Sequence, residues 1–535
     1  MDKHKWQDIV ARKRRLQRDL LAPHQQSQNH MTGLKDEDGL MSVPSIIELT
    51  AKLFRGELKC EFVMKAYISK ACEAHRVTNC LTEVMFDDAL SRAKELDIYF
   101  LKHGRPIGPL HGVPVTLKDQ FNVKGFDSTI GYVSRSFHPA TSNAVLVEML
   151  QSLGAIVMAK SNLPQSIMWC ETDNPLWGLT TNPLNSAYTP GGSSGGEAAL
   201  LASGASILGW GTDIGGSIRI PSHMMGLYGF KPSSARLPYR GLPVSTEGQE
   251  HVPSSVGPMS RSLDTIHAVF KSLLDLKPWD FDARCTAIPW REDLYLQTLD
   301  RPLVIGVLFD DEVVRPHPPI TRVLRSAIEA LQGAGHYIVD WNAELHADCV
   351  QLMDQFYTAD GGEDIREAVR AGGEPIIPHV QKLISCGSPM SVFEYWQLNK
   401  KKWDLQQQYL DKWNSIRWSR GCQPVDVVIM PPMPHSSVPH GSCRWVGYTK
   451  VWNVLDYPAI VIPGGTVCAQ DVSDVWSFEP RTDLDKWNKD LWENNKNEMA
   501  CLGLPVGIQI IGRRYNEEKV LAAAKVIDDL LKASA

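Results

Sequence analysis

The chain has 535 residues, 43% of them hydrophobic and 22% charged, with a formal net charge of −6. This is ordinary globular composition with ample apolar material for a large core, which excludes a disordered or fibrous chain. No basic excess points to nucleic acid or an acidic membrane surface as partner, and no apolar run reaches the ~18 residues of a membrane span.

The first residues, MDKHKWQDIVARKRRLQRDLLAPHQQ, are charged throughout and lack the apolar core of a secretory signal. They predict an amphipathic surface helix, with KRR part of that helix rather than a basic address, so residues 1–44 are expected to form an N-terminal helical extension. NAVLVEMLQSLG (143–154) has a helical apolar face and a C-cap signal at Gly154, and AIVMAK follows as a short buried strand. GEAALLASGAS (196–206) predicts a helix of small residues, and SLDTIHAVFKSLLDL (262–276) a helix capped by Ser262. PLVIGVLFD, PPITRVLRSAIEALQGAG and YIVDW predict strand, helix and strand. The stretch from about 340 to 420 is mostly helical in pattern, a candidate subdomain. VDVVIMPP (425–432) and YPAIVIPGG (457–465) look like buried strands. The charged run 481–500 suggests a surface excursion between core strands, and NEEKVLAAAKVIDDLLKA (516–533) a closing helix. Such alternation predicts an α/β sheet with helices on both faces.

Eleven cysteines without CxxC or paired spacing suggest free thiols in a reducing compartment, hence a cytoplasmic location. There is no HExxH and no His/Cys cluster; HSSVPH (435–440) has two histidines in a proline-containing loop, a poor setting for a metal. No metal or organic cofactor is expected.

Three stretches carry unusual chemistry. In GPLHGVPVTLKDQFNVKG (108–125), Lys118 ends an apolar strand-like run. It is either a snorkelling surface lysine, which position alone favours, or a partly buried amine. In TPGGSSGGEAALLASG (189–204), four glycines flank Ser193 and Ser194. In GTDIGGSIRIP (211–221), Gly215 and Gly216 precede Ser217. A phosphate loop of the GxxxxGK[ST] type would need a lysine where Glu197 stands, and GWGTDIGG is not GxGxxG. The GxSxG elbow is also absent, and no His/Asp pair suggests a serine–histidine triad.

A lysine and serines remain. A serine hydroxyl needs a base. A lysine amine can supply one when its environment depresses its pKa; from ~10.4 to about 7 corresponds to roughly 4.6 kcal/mol, within what burial supplies. A second serine can pass the proton, and glycines before the nucleophile can expose backbone N–H groups to an oxyanion.

GGSSGGEAALLASG followed by GTDIGGSIRIPSHMMGLYGFKPSSARLPYRG resembles the signature of the amidase signature family. Lys118 in PVTLKD matches that family's lysine; Ser193 lies 75 residues beyond it, and Ser217 a further 24. NVLDYPAIVIPGG and GLPVGIQIIGRR are similar to family core segments. RPIGPLHGVPVTLKDQ, SSVGPMSRSLD, DGGEDIRE and EPIIPH most resemble fungal acetamidase-type general amidases. The resemblance implies one large α/β/α domain over residues 45–535, with a central mixed β-sheet covered by helices on both faces and its signature core at about 108–245.

By the same resemblance, Ser217 is the acylated nucleophile, Ser193 the bridging serine after a cis Gly192–Ser193 bond, and Lys118 the terminal base. The N–H groups of Ile214, Gly215, Gly216 and Ser217 are expected to form the oxyanion hole. Ser194 is expected to hydrogen-bond Ser193, and Asp213 to pair with Arg219 and fix the loop. Met168, Trp169 and Cys170 are candidates to line an acyl pocket. The implied activity is hydrolysis of carboxylic amides, small aliphatic or aromatic ones, to carboxylate and ammonia or amine. The implied partner is a small-molecule amide, with no nucleic acid or membrane, and with room for a homodimer. Two alternatives remain open: the glutaminase subunit of a transamidating ligase complex, and a non-catalytic scaffold of the same fold.

Overall fold

The structure is a computed structural model and describes residues 5–26, 43, 45–418 and 423–534. In chain order the strands are β1 (Leu81–Val84), β2 (Pro114–Lys118), β3 (Ile156–Ser161), β4 (Leu208–Asp213), β5 (Tyr228–Lys231), β6 (Ser255–Ser260), β7 (Val304–Val307), β8 (Tyr337–Asp340), β9 (Arg417–Trp418), β10 (Gln423–Pro424), β11 (Val427–Met430), β12 (Ala459–Thr466) and β13 (Pro505–Ile511). All but the β9–β10 ribbon join one eleven-stranded sheet, ordered β1-β3-β2-β4-β6-β5-β12-β13-β11-β7-β8. β2 is parallel to β3 and β4, and β7 to β11 and β8; the central β5–β12–β13 pairings are antiparallel. The fold is therefore α/β with a mixed sheet.

Helices cover the sheet, so β2, β3 and β4 are buried along their whole length. This is why PVTLK and IVMAKS show near-continuous apolar runs instead of alternation. Ser262 caps its helix by accepting the Thr265 N–H (3.4 Å). The helix Val145–Ser152 stops a residue earlier than its glycine suggests: Leu153 is the C-cap, and Gly154 follows at φ +95° to turn the chain into β3.

The N-terminal helix Lys5–Gln26 is not a free surface helix. Lys13, first residue of the KRR cluster, is buried and pairs with Glu83 and Asp127, each at 2.6 Å. Gln17 donates to the carbonyls of Leu81 and Thr82 at the edge strand β1. The charged 481–500 run likewise departs from a surface excursion. It forms the helix Asp483–Leu502, which buries Trp492 and Met499 against the main core. Most of its charges lie on the opposite face of an amphipathic helix, whereas Asp485 is buried and accepts the Arg315 and Arg481 N–H groups.

Residues 346–415 form four helices, His346–Tyr357, Glu363–Gly372, Pro378–Ile384 and Val392–Ser415. Trp413 packs edge-on against Trp341, which follows β8, and against Tyr457, which precedes β12. The first and last of these helices share one apolar core with the β7–β8 side of the sheet, while the middle two pack against Ile130, Tyr132 and Leu163. That packing carries Tyr357 to the loop after β4.

Candidate active site

β2 and β4 are neighbouring parallel strands, with Leu117 opposite Trp210. Their carboxyl ends deliver Lys118 and Thr212 side by side, at the kind of sheet edge where α/β folds place their sites. Lys118 is fully buried, correcting the snorkelling reading. Its Nζ donates to Ser193 Oγ at 2.7 Å and to Thr212 Oγ1 at 3.0 Å. Thr212 passes its own proton to Gln120 Oε1 (2.7 Å), and Gln120 Nε2 donates to the Tyr239 hydroxyl (2.9 Å). Among the described residues no carboxylate contacts the amine directly. Burial pulls its pKa down to about 7, against the more distant pull of Asp213.

Ser193 stands just before the helix Gly195–Ala202, and the Gly192–Ser193 peptide is cis. Glu197 ties that helix to the sheet. It accepts from Ser161 Oγ of β3 (2.7 Å) and from Thr116 Oγ1 of β2. Burial raises its carboxyl to about 7. The residue that excludes a phosphate loop thus anchors the serine-bearing turn to the strand that carries Lys118.

The loop 213–219 is held by one buried ion pair. Arg219 forks onto Asp213, Nε to Oδ2 at 2.9 Å and Nη2 to Oδ1 at 2.8 Å, with both side chains fully buried. Burial works to raise the Asp213 carboxyl, but the Arg219 charge and its hydrogen bonds outweigh it and hold Asp213 well below the usual carboxylate range. The remaining guanidinium protons go to the Thr449 carbonyl, Gln509 Oε1 and Asn453 Oδ1. Removing one partner of such a pair leaves an uncompensated buried charge. Arg219→Met is therefore expected to lose about 3–5 kcal/mol of stability, read as an earlier unfolding midpoint in denaturant. Arg219→Lys, which cannot reproduce the fork, should recover only part of it.

Gly215 and Gly216 answer to specific neighbours. A Cβ on Gly215 would strike the Tyr357 hydroxyl, and one on Gly216, at φ +126°, would strike Thr449. Tyr357 donates to the Ile214 carbonyl (3.3 Å), and Thr449 Oγ1 to the Gly215 carbonyl (2.6 Å). With those carbonyls tied back, the N–H groups of Ile214, Gly215 and Ser217 meet no acceptor among the described residues. The Gly216 N–H differs from expectation: it donates to Asp213 Oδ1 (2.9 Å), which turns it away from any oxyanion.

Ser217 is partly exposed and lines two cavities. One, of about 340 Å³, is walled by Met168, Trp169 and Cys170. The other, of about 680 Å³, also reaches Ser193 and Thr212. Ser194 departs from its expected role. Its hydroxyl is buried without a partner, while its N–H donates to the Ser217 carbonyl (3.2 Å) and fixes the two serine turns to each other. Among the described residues no group of three or more His, Cys, Asp or Glu is placed to hold a metal, and the buried His435 ring is bonded through Nδ1 to the Ser436 carbonyl.

The family model described as Amidase matches residues 63–521. The chain belongs to the amidase signature family. The enzyme is 51% identical over 527 residues to Amidase 1 of Gibberella moniliformis (strain M3125 / FGSC 7600), covering 98% of this chain and 99% of that one. It is 37% identical over 545 residues to an acetamidase of Aspergillus oryzae (strain ATCC 42149 / RIB 40), covering 98% and 99%. Among solved structures it matches a fatty acid amide hydrolase with a TM-score of 0.84 and 32% identity, over 96% of this chain and 90% of that chain. This amidase is accordingly an amide hydrolase. Among its described residues no helix is long and apolar enough to cross a membrane.

Sequence reasoning missed Thr212, Gln120 and Tyr239, which complete the surroundings of Lys118, and Tyr357, Thr449, Asn453 and Gln509, which shape the loop. Thr212 had a signal. It precedes Asp213 on a strand, so strand alternation turns one of the two toward Lys118 and the other away. Gln120, two residues past Lys118, carried no signal of its partners Thr212 and Tyr239, 92 and 119 residues away, and the rest lie too far along the chain for any local pattern to reveal them.

Proposed function

We propose that the enzyme hydrolyses carboxylic amides through an acyl-enzyme on Ser217, with Ser193 and Lys118 completing a serine–serine–lysine relay. The observation that carries this reading is the 2.7 Å contact between Ser193 Oγ and a fully buried lysine whose pKa is drawn down to about 7. A neutral amine keeps one N–H on Thr212 and turns its lone pair to Ser193. Ser217 Oγ bonds to the amide carbon as its proton moves to Ser193, and the Ser193 proton moves to Lys118. The carbonyl oxygen becomes an oxyanion facing the free N–H groups of Ile214, Gly215 and Ser217. Collapse breaks the C–N bond, and the proton returns through Ser193 to the departing nitrogen. Water repeats the sequence on the ester and frees the acid.

The apolar cavity beside Met168 and Trp169 supports small aliphatic or aromatic acyl groups as substrates, in keeping with the acetamidase among the relatives. Hydroxylamine competes with water for an acyl-enzyme. Turnover in its presence is expected to yield the hydroxamate in proportion to its concentration, measured by the ferric colour reaction. Hydrolysis that proceeds with no hydroxamate at any concentration would mean that water attacks the amide directly.

A further inference from the structure

The cavity of about 340 Å³ that Ser217 lines has apolar walls to which Ile214, Ile220 and Met168 contribute. The same lining also carries charge. It bears Lys382, Arg444, Lys450 and a single carboxylate, Asp354. Asp354 is taken by Lys450, whose ammonium also lies 5.3 Å from the Tyr357 ring centre. Lys382, on the helix Pro378–Ile384, and Arg444, ahead of the helix Gly447–Val454, are paired with no carboxylate among the described residues. Arg444 is steadied by the Trp487 ring, 5.8 Å from its guanidinium carbon. Two exposed cations from separate elements, neither paired with a carboxylate among the described residues, thus line one cavity.

The second cavity at Ser217 has no such bias. Its charged lining residues are Arg240, Arg284, Glu247 and Glu250, two of each sign. A cavity lined by apolar side chains together with unpaired cations is complementary to a short hydrocarbon chain that ends in an anion.

We propose that this amidase acts on monoamides of dicarboxylic acids: the hydrocarbon part of the acyl group lies against Ile214 and Met168, and Lys382 and Arg444 hold its terminal carboxylate. The proposal rests on the acyl-enzyme reading above and adds the chemical class of the acyl group. Exposed charge pairs each contribute a few-fold, so together they should favour the carboxylated substrate on the order of tenfold. The effect belongs in KM, because the carboxylate is bound alike in the ground and transition states.

The test compares hexanamide with adipamic acid, and octanamide with suberamic acid, pairs that differ only in the terminal carboxylate. The wild-type enzyme should show a higher kcat/KM, of that order, for the carboxylated member of at least one pair. The preference should shrink as salt rises from about 50 to about 500 mM. In the Lys382→Gln/Arg444→Gln double variant the ratio should fall towards one, and Lys382→Arg alone should retain it. Parity or a preference for the uncharged amide at both lengths overturns the proposal, as does a preference that survives the double variant. In those cases hydroxamate formation from hexanamide leaves the Ser217 reading standing. If neither amide yields a trappable acyl group, that reading falls and takes this one with it.

Discussion

Ser217→Ala is expected to abolish amide hydrolysis, with a fall on the order of 10⁴-fold or more in kcat, while leaving the fold intact. The loss is large because the relay has no second nucleophile to hand its proton work to. Cys170 lines the same cavity but sits buried with its thiol against Cys443, and no histidine bonds it among the described residues. The structural cost is small because the substitution removes one hydroxyl from a partly exposed side chain that anchors nothing in the loop. Asp213, Arg219, Tyr357 and Thr449 hold that loop through backbone and other side-chain atoms. The unfolding midpoint should therefore stay within about 0.5 kcal/mol of wild type. Intact-protein mass spectrometry after a fluorophosphonate should show one adduct, mapped to Ser217 in the wild type and absent from the variant. An adduct on Cys170 would sink the assignment.

Lys118 governs the second large effect, and here pH gives the sign. The amine must be neutral to accept a proton from Ser193, and its pKa lies at about 7 because burial penalises the ammonium. Activity should hold through mildly alkaline pH and fall about tenfold per unit on the acid side of that value. Lys118→Ala is expected to lose on the order of 10³-fold and, with it, the acid limb; what remains should rise with hydroxide. Lys118→Arg should not rescue, since a guanidinium keeps its proton across this range. Ser193→Ala is expected to be milder than Ser217→Ala, because a water in the vacated space can carry the proton. An arginine variant with near wild-type activity would remove the lysine from the mechanism.

Much of this was legible in the residues themselves. Alternating apolar runs and caps are local features, so the strands β3, β7, β11 and β12 and the helices after Ser262 and Pro318 follow from short stretches of chain. Where local reading failed, one partner was distant. Lys13 looks like part of a basic cluster until Glu83 and Asp127 close on it. The 481–500 helix looks like surface until its tryptophan finds the core.

The chemistry divides the same way. The sequence by itself determined which groups are available: Ser217 behind two glycines, Ser193 among four more, and Lys118 at the end of an apolar run, at spacings that point to one enzyme family. Only the tertiary structure decided what state those groups are in. Burial draws the Lys118 pKa down to about 7, and burial is a property of neighbours rather than of PVTLK. The loop at Ser217 takes its shape from Gln509, Thr449 and Asn453, some 290, 230 and 234 residues from the arginine they bind. One amide expected to face the substrate, that of Gly216, turns instead to Asp213, because an ionised buried carboxylate claims every donor in reach.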